Sequence, residues 1–242
     1  MLACDINREG MLPLSQSLSD TSCLWVEALD VRDAAAWERI VGQMAEKWGS
    51  VDVVMNVAGV IRPGYADEIT SKDVDFHLDI NTKGVILGTA AATKIMLKQG
   101  RGHIINIAST AGIAPGPGLA LYCASKFAVR GFTLAIATEL AAKGIKVTCV
   151  CPDATQTPML TLQEDKPQAA LTFSGNRLLT VEDVAGLILG HVLAKAPVEA
   201  IIPGSRGWVA KLASAFPALN KLVLDSLVKK GLKKQQAIRA AH

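Results

Sequence analysis

The chain has 242 residues, of which 50% are hydrophobic and 19% are charged, and its formal net charge is +3. This length and composition suffice for one folded domain with a sizeable core, and they argue against a disordered chain. The five cysteines include no C-x-x-C pair and the four histidines are scattered, so neither a disulfide framework nor a bound metal is predicted.

The start of the chain and its apolar runs favour a soluble, cytoplasmic protein. Met1 leads directly into Leu-Ala-Cys-Asp, which lacks the basic and then apolar pattern of a signal peptide. No apolar run approaches the ~20 residues needed to cross a bilayer. We therefore expect no membrane-spanning segment.

Strand and helix signals alternate along the chain, which is typical of a parallel α/β sheet. In chain order, the predicted elements are strand 1–4, helix 8–18, strand 23–29, helix 34–48, strand 51–55, helix 71–97, strand 103–108, helix 120–143, strand 145–151, helix 180–195 and strand 198–202. Residues 160–177 carry no such pattern and are predicted to form a loop that covers a substrate site.

Tyr122 and Lys126 are the most informative pair in the sequence. They are four residues apart, so a helix places the phenol and the ammonium group on one face. A cation beside a phenol, whose ordinary pKa is ~10, favours the phenolate and gives an acid/base of use near neutral pH. Ser109 follows a predicted strand and can polarise a carbonyl. Taken alone, the Y-x-x-x-K spacing is more typical of a solvated helix face.

The order and spacing of several motifs resemble the classical short-chain dehydrogenase/reductase family, over roughly residues 1–205. The residues that carry the resemblance are Asp5, Asp30, Asn56, Val57, Ala58, Gly59, Asn81, Ser109, Tyr122, Lys126 and Pro152. The resemblance implies a Rossmann-like, doubly wound α/β domain. It also implies an NAD-dependent oxidoreductase that interconverts a secondary alcohol and a carbonyl.

Four residues have catalytic roles implied by this resemblance. Tyr122 would exchange the proton, and Lys126 would lower the pKa of Tyr122 and bind the nicotinamide ribose. Ser109 would hold the substrate oxygen. Asn81 would kink its helix and hold a water that links Lys126 to solvent.

The resemblance also implies a set of cofactor contacts. Asp5, at the end of the first strand, would bond the adenosine ribose and disfavour a 2′-phosphate, which favours NAD over NADP. Asp30 would contact the adenine with the backbone of Val31. Helix capping is the alternative role for both carboxylates. The expected cofactor-binding residues are Asp5, Asp30, Val31, Asn56, Ala58, Gly59, Tyr122, Lys126, Pro152, Thr155 and Thr157.

The sequence departs from the family pattern in two ways. Val57 replaces an Asn, and Asn56, Ala58 and Gly59 are expected to keep their backbone roles. After the strand 145–151, Asp153 replaces a Gly and Thr155 replaces a Val, so the match to the family is weaker at the cofactor contacts of that segment. In addition, the family's first strand and Gly-rich turn do not precede the strand 1–4. We therefore expect two unpaired strand edges in the sheet. The alternative function is a catalytically silent truncated isoform that acts as an interaction or dimerisation protein.

The end of the chain is predicted to be a basic amphipathic helical extension, residues 206–242, packed on the domain formed by residues 1–205. Residues 203–242 contain eight Lys or Arg and the single acid Asp225, so this segment carries +7 and the remainder −4. Apolar groups between the lysines predict a helix pair over 209–216 and 219–232. Its expected roles are a cover for the fold, a contact in a homodimer or homotetramer, a wall for a lipophilic alcohol or ketone, or peripheral membrane contact. Nucleic-acid binding is not expected.

Overall fold

The computed structural model describes residues 1–16 and 23–240, without the side chains of 15, 16 and 217–223. Within these residues, six parallel strands form two hydrogen-bonded groups. The strands are β1 (Leu2–Asp5), β2 (Trp25–Ala28), β3 (Val53–Asn56), β4 (Gly102–Ile107), β5 (Ile145–Pro152) and β6 (Glu199–Ile202). β1 pairs with β2, and β3, β4, β5 and β6 pair in that order. The predicted parallel α/β architecture is confirmed.

Helices connect successive strands, as the alternating pattern predicts. The α-helices are α1 (Leu12–Gln16), α2 (Ala34–Trp48), α3 (Ser71–His77), α4 (Gly84–Gln99), α5 (Ala120–Ala141), α6 (Pro158–Thr161), α7 (Val181–Leu187), α8 (Leu193–Lys195), α9 (Gly204–Ala215) and α10 (Pro217–Ala240). Helix α2 has the predicted bounds because the Asp33 carboxylate accepts hydrogen bonds from the amides of Ala35 and Ala36.

Two of the predicted elements differ in the structure. The helix expected over 8–18 is a 3₁₀ turn, Glu9–Met11, followed by α1, and its last two residues lie outside the described part of the chain. The prediction of a loop over 160–177 is wrong, because this segment holds the end of α6 and a 3₁₀ helix, Pro167–Ser174. Ala169, Ala170 and Phe173 of that helix are buried, so the segment is part of the core.

The main apolar core joins the two strand groups through α2 and α4. Trp37 of α2 packs so closely on α4 that a Cβ at Gly88 would lie 2.8 Å from its ring. Val54 of β3 and Ile104 of β4 are buried in the same cluster, and Leu2 of β1 packs against it. The helices therefore hold β1 and β2 beside the larger sheet without ladder hydrogen bonds.

β1 and β3 each have one open edge among the described residues. β1 is bonded only to β2, and β3 only to β4. Met55 of β3 is 48% exposed and Val57 just beyond it is 61% exposed. These are the two unpaired edges that the sequence analysis expects, and they leave apolar side chains in contact with solvent.

Helix α5 is an exception to the expectation that no segment could span a membrane. Within the described residues it is the helix long and apolar enough to do so, with 22 residues and a mean hydropathy of 1.2. The same property is found in core helices, so length and composition alone are weak grounds for a span. Helix α5 packs against β5 and carries the buried side chain of Lys126.

The C-terminal helices are longer than predicted, and α10 packs on the 3₁₀ helix Pro167–Ser174. A Cβ at Gly231 would lie 1.8 Å from the carbonyl oxygen of Ala170, so glycine permits this close approach. The side-chain amide of Gln235 donates to the carbonyl oxygens of Gln163 and Lys166, each at 2.9 Å. Helix α10 therefore covers the segment after β5. The division of the chain into a domain of residues 1–205 and an extension of residues 206–242 stays a prediction.

Candidate active site

A cavity of about 1080 Å³ lies beyond the carboxyl ends of β3, β4, β5 and β6. Such a position is where ligands bind in parallel α/β sheets. Ser109, Tyr122 and Lys126, which the sequence places on two separate elements, all line it. The structure therefore brings together the three residues on which the sequence-based catalytic hypothesis depends.

Ser109 directly follows β4 and is fixed by the turn after it. Its hydroxyl oxygen accepts a 3.1 Å hydrogen bond from the amide of Ala111 and so caps the 3₁₀ turn Thr110–Gly112. That turn approaches α5 closely, since a Cβ at Gly112 would lie 2.5 Å from the carbonyl oxygen of Lys126. A glycine at this position therefore allows Ser109 to lie beside the helix that carries Tyr122.

Lys126 is buried, with 3% of its surface exposed, and its ammonium group has a fixed partner. Nζ donates a 2.9 Å hydrogen bond to the carbonyl oxygen of Ile107, at the end of β4. The same atom lies 5.8 Å from the centroid of the Tyr122 ring. The two side chains thus share one face of α5, as their spacing predicts.

Burial dominates the titration of both side chains. Burial raises the pKa of Tyr122 to about 12, against a hydrogen bond from Ser109 that lowers it. Burial also lowers the pKa of Lys126 to about 8, although the nearby thiols of Cys149 and Cys151 act in the opposite direction. The pKa of Tyr122 is therefore raised in this structure and not lowered as expected, because desolvation outweighs the hydrogen bond from Ser109.

Asn81 reaches the site from a one-turn π-helix, Leu78–Lys83, inserted between α3 and α4. Its Oδ1 accepts from the amide of Val60 at 2.7 Å, and its Nδ2 donates to the Val60 carbonyl at 2.9 Å and to Ser125 Oγ at 3.0 Å. A Cβ at Gly59 would lie 3.4 Å from both Asn81 Oδ1 and Lys126 Nζ. The π-helix places the amide next to Lys126 and interrupts the predicted continuous helix 71–97.

The expected cofactor contacts divide into two groups. Gly59, Tyr122, Lys126, Pro152, Thr155 and Thr157 line the cavity. Asp5, Asp30, Val31, Asn56 and Ala58 do not. The six expected residues that line the cavity offer hydroxyl groups, backbone amides and one ammonium group, which suits a nicotinamide, its ribose and a phosphate. The cavity therefore fits the nicotinamide half of a dinucleotide.

The carboxylates expected on the adenine side have partners within the chain. Asp30 forms an ion pair with Arg32 at 2.6 Å, and hydrogen bonds from Arg32 lower the pKa of Asp30 to about 2. Asp5 is exposed, and its Oδ1 accepts a 2.9 Å hydrogen bond from the amide of Asn7. Both carboxylates therefore stabilise the turn after their strand, and neither takes the alternative role of a helix cap, because the caps are Arg8 and Asp33.

The side chain of Asn56 points into the core. Its Nδ2 donates to Asn106 Oδ1 at 2.8 Å and to Thr89 Oγ1 at 3.2 Å, which links β3, β4 and α4. Asn106 in turn donates to Thr133 Oγ1 of α5 at 3.0 Å. This buried polar network holds the strand ends in register, and only the backbone of Asn56 remains available for a cofactor.

One contact at the site, the ion pair between Asp153 and Arg206, has no counterpart in the sequence analysis. Asp153, which departs from the family pattern, accepts a 3.2 Å hydrogen bond from Thr110 and forms a 2.9 Å ion pair with Arg206 of α9. Helix α9 then forms one wall of the cavity with Val209 and Leu212. The replacement of glycine by Asp153 was the available signal, but nothing in the sequence assigns Arg206 as its partner.

Comparison with known proteins supports the class that the fold and site indicate. A profile described as short chain dehydrogenase matches residues 1–168. The oxidoreductase UcpA of Salmonella typhimurium is 38% identical over 156 residues, covering 62% of this chain and 59% of UcpA. The NADP-dependent 3-hydroxy acid dehydrogenase YdfG of Escherichia coli is 32% identical over 191 residues, covering 76% and 75%.

A solved structure of ElxO with NADP bound has a TM-score of 0.73 and 28% identity, covering 83% of this chain and 86% of ElxO. The fold is thus that of a Rossmann-like α/β domain. The chain belongs to the short-chain dehydrogenase family, whose members use a nicotinamide cofactor. It spans about three-fifths of the length of UcpA.

Proposed function

We propose that this chain is an oxidoreductase that interconverts a secondary alcohol and a carbonyl on a lipophilic substrate. The observation that carries the proposal is the meeting of Ser109, Tyr122 and Lys126 in one cavity, with Lys126 buried beside the tyrosine ring. A buried ammonium group is costly, and its retention next to a phenol and a hydroxyl is typical of a catalytic site.

Each side chain has a role that follows from its position. When bound, the nicotinamide cofactor supplies the hydride donor or acceptor. The Ser109 hydroxyl holds the substrate oxygen. Tyr122, with a pKa near 12, keeps its proton at neutral pH and can donate it to a carbonyl oxygen. Lys126, fixed by the Ile107 carbonyl, is in place to bind ribose hydroxyls and to stabilise charge on the phenol.

Asn81 is proposed to support Lys126 through a bound water. Its amide lies next to Lys126 across Gly59, and its hydrogen bonds to Val60 and Ser125 fix its orientation. Thr155 and Thr157, together with the backbone at Pro152, are proposed to bind the carboxamide and phosphate groups of the cofactor. Thr155 is already oriented by a 2.9 Å hydrogen bond to the carbonyl of Asp153.

NAD is proposed as the cofactor in preference to NADP on the position of Asp5. Its exposed carboxylate follows β1, where it would repel a 2′-phosphate. The remaining proposed cofactor contacts are Asp30, Val31, Ala58 and Gly59, with the backbone of Asn56. The names of YdfG and ElxO specify NADP, so these relatives do not favour NAD.

The wall of the cavity supports a lipophilic substrate. Leu171 and Leu179, from the segment after β5, line the cavity together with Leu212 of α9 and Leu227 of α10. At about 1080 Å³, the space is at the upper end of ordinary ligand sites, so it can hold an apolar chain besides a nicotinamide ring. An apolar alcohol or ketone suits this lining better than a sugar.

The proposed partners follow from exposed apolar side chains on α9 and just after it. Trp208 is 72% exposed and does not line the cavity, and Val209, Leu212 and Phe216 are exposed at the cavity wall. A homodimer or homotetramer contact would cover such a stripe, and peripheral membrane contact is the second candidate, since α10 adds basic residues. A cytoplasmic location and the absence of nucleic-acid binding remain predictions from composition.

A silent interaction protein is the second candidate function, and the open edges of β1 and β3 favour it. Titration with NADH, followed by nicotinamide fluorescence, separates the two functions. We expect saturable binding that Lys126→Met weakens and that Lys98→Met, a change on the exposed end of α4, leaves intact. Absence of saturable binding by the unmutated chain would instead favour the interaction protein.

A further inference from the structure

Two lysines of α10 converge on the backbone loop Gly175–Asn176. Lys230 Nζ donates a 3.0 Å hydrogen bond to Asn176 Oδ1, and Lys234 Nζ donates to the carbonyl oxygen of Gly175. The two side chains are four residues apart, so they extend from the same face of the helix. They place two positive charges at one short loop.

This loop is part of the wall of the active-site cavity. Gly175, Asn176 and Lys230 all line that cavity. Gly175 and Asn176 also line an adjoining cavity of about 280 Å³, to which Lys234 contributes. The loop therefore borders two cavities, one lined by Tyr122 and Lys230 and the other by Lys234.

The two ammonium groups are not neutralised within the described part of the chain. Two guanidinium groups near the loop are paired, Arg177 with Asp183 at 2.6 Å and Arg206 with Asp153 at 2.9 Å. Neither Lys230 nor Lys234 forms an ion pair with a described carboxylate, and their hydrogen bonds go to neutral oxygens. An excess positive potential therefore remains beside the loop.

One buried polar group next to the loop lacks a hydrogen-bond partner. Ser174 lines the active-site cavity and is 2% exposed, and its hydroxyl has no hydrogen-bond partner among the described residues. A buried hydroxyl without a partner is unfavourable by roughly 1–3 kcal/mol, and such a group commonly meets a ligand or a water. Ser174 stands directly before Gly175, so the unpartnered hydroxyl is adjacent in the chain to the loop that accepts hydrogen bonds from both lysines.

From these observations we infer that the loop Gly175–Asn176, with Lys230 and Lys234, binds an oxyanion at the far end of the substrate. The substrate is then an amphiphile, with a carbonyl or hydroxyl at Tyr122, an apolar body against α9 and α10, and a carboxylate or phosphate at the two lysines. This inference rests on the proposed function, since the bound anion is part of the substrate.

Calorimetric titration of the full chain with three decyl compounds tests the inference. Decanoate, decyl phosphate and decan-1-ol share one apolar chain and differ in the head group. We expect both anions to bind more tightly than the alcohol, and the stronger of the two identifies the head group. Equal affinity for all three compounds would overturn the inference.

Charge-removing variants locate the anion. Lys230→Gln and Lys234→Gln should each weaken decanoate binding by about threefold to tenfold and leave decan-1-ol binding unchanged. Lys230→Arg should retain binding. The matched controls are Lys229→Gln and Lys233→Gln, which remove the same charge from exposed positions of α10. An equally large loss of decanoate affinity in these controls would indicate diffuse electrostatic attraction and would overturn the proposed anion site.

These titrations require no turnover, so the two proposals fail separately. If the head groups bind alike while Tyr122 proves essential for turnover, the anion site is wrong and the oxidoreductase proposal stands. If the anion site behaves as expected and Tyr122 proves dispensable, the cavity binds an anionic amphiphile for another purpose.

Discussion

Arg206 Nε lies 2.9 Å from Oδ2 of Asp153, and this ion pair joins the first turn of α9 to the end of β5. Asp153 also accepts a hydrogen bond from Thr110, next to Ser109, so the wall of the cavity and the turn that carries Ser109 share one anchor. A glycine at position 153 could not provide it. The departure from the family pattern therefore has a structural consequence in this chain.

Removal of that anchor should loosen the substrate wall. Asp153→Asn keeps the shape and loses the charge, so KM should rise severalfold while kcat changes little. A double-mutant cycle with Arg206→Gln should give a coupling free energy of about 1 kcal/mol in thermal unfolding. Glu38→Gln, which breaks an exposed pair with Lys94, is the control and should have no effect. Additive effects of Asp153→Asn and Arg206→Gln would contradict the anchor.

The pH dependence of carbonyl reduction should follow Lys126. Its pKa is lowered to about 8, so the ammonium group is charged below that pH and neutral above it. Tyr122, with a pKa near 12, keeps its proton throughout this range. We therefore expect kcat/KM for reduction to be level below pH 8 and to fall about tenfold per pH unit above it.

Lys126→Arg is the control for this profile, because a guanidinium group stays charged at all these pH values. If the variant retains activity, its kcat/KM for reduction should not decline above pH 8. A rate for the unmutated chain that stays level to pH 10 would show that the charge of Lys126 is not required.

Cofactor preference should depend on Asp5. Asp5→Ala removes a carboxylate that would repel a 2′-phosphate, so the ratio of kcat/KM for NAD to that for NADP should fall. Glu9→Ala removes an equal charge from an exposed position nearby and should leave the ratio unchanged. Equal efficiency with both cofactors in the unmutated chain would contradict a selective role for Asp5.

The exposed face of α9 should mediate contact with a second copy or with a membrane. Replacing Trp208, which does not line the cavity, with Ser should reduce either self-association in sedimentation experiments or flotation with phosphatidylserine vesicles. Leu189→Ser is the control, because Leu189 is equally apolar and exposed but lies after α7. If neither measurement changes, the exposed apolar side chains of α9 face only solvent and bind no partner.

Sequence periodicity was sufficient for the core strands and for helix α2, where local signals and tertiary packing agree. The Asp33 cap fixed the start of α2, and the spacing of Tyr122 and Lys126 placed both on one face of α5. These features depend on neighbours within one turn or one strand, which a sequence displays directly.

Features that depend on distant contacts were not predictable in this way. The segment 160–177 resembled a loop because its apolar residues meet α10, more than fifty residues further on. The pKa of Tyr122 was expected to fall because Lys126 is visible in the sequence, whereas the burial that raises it is not. The pairing of Arg206 with Asp153 likewise exists only once α9 has packed.

Turnover by Tyr122→Phe is the most direct test of the oxidoreductase proposal. The substitution removes one hydroxyl with almost no change in volume, so the fold and NADH binding should persist while the rate on a panel of lipophilic alcohols and ketones falls by at least ~10². Tyr65→Phe, at the other, exposed tyrosine of the chain, is the matched control and should keep full activity. Retention of a third or more of the activity by Tyr122→Phe would contradict the assignment of this residue as the proton donor.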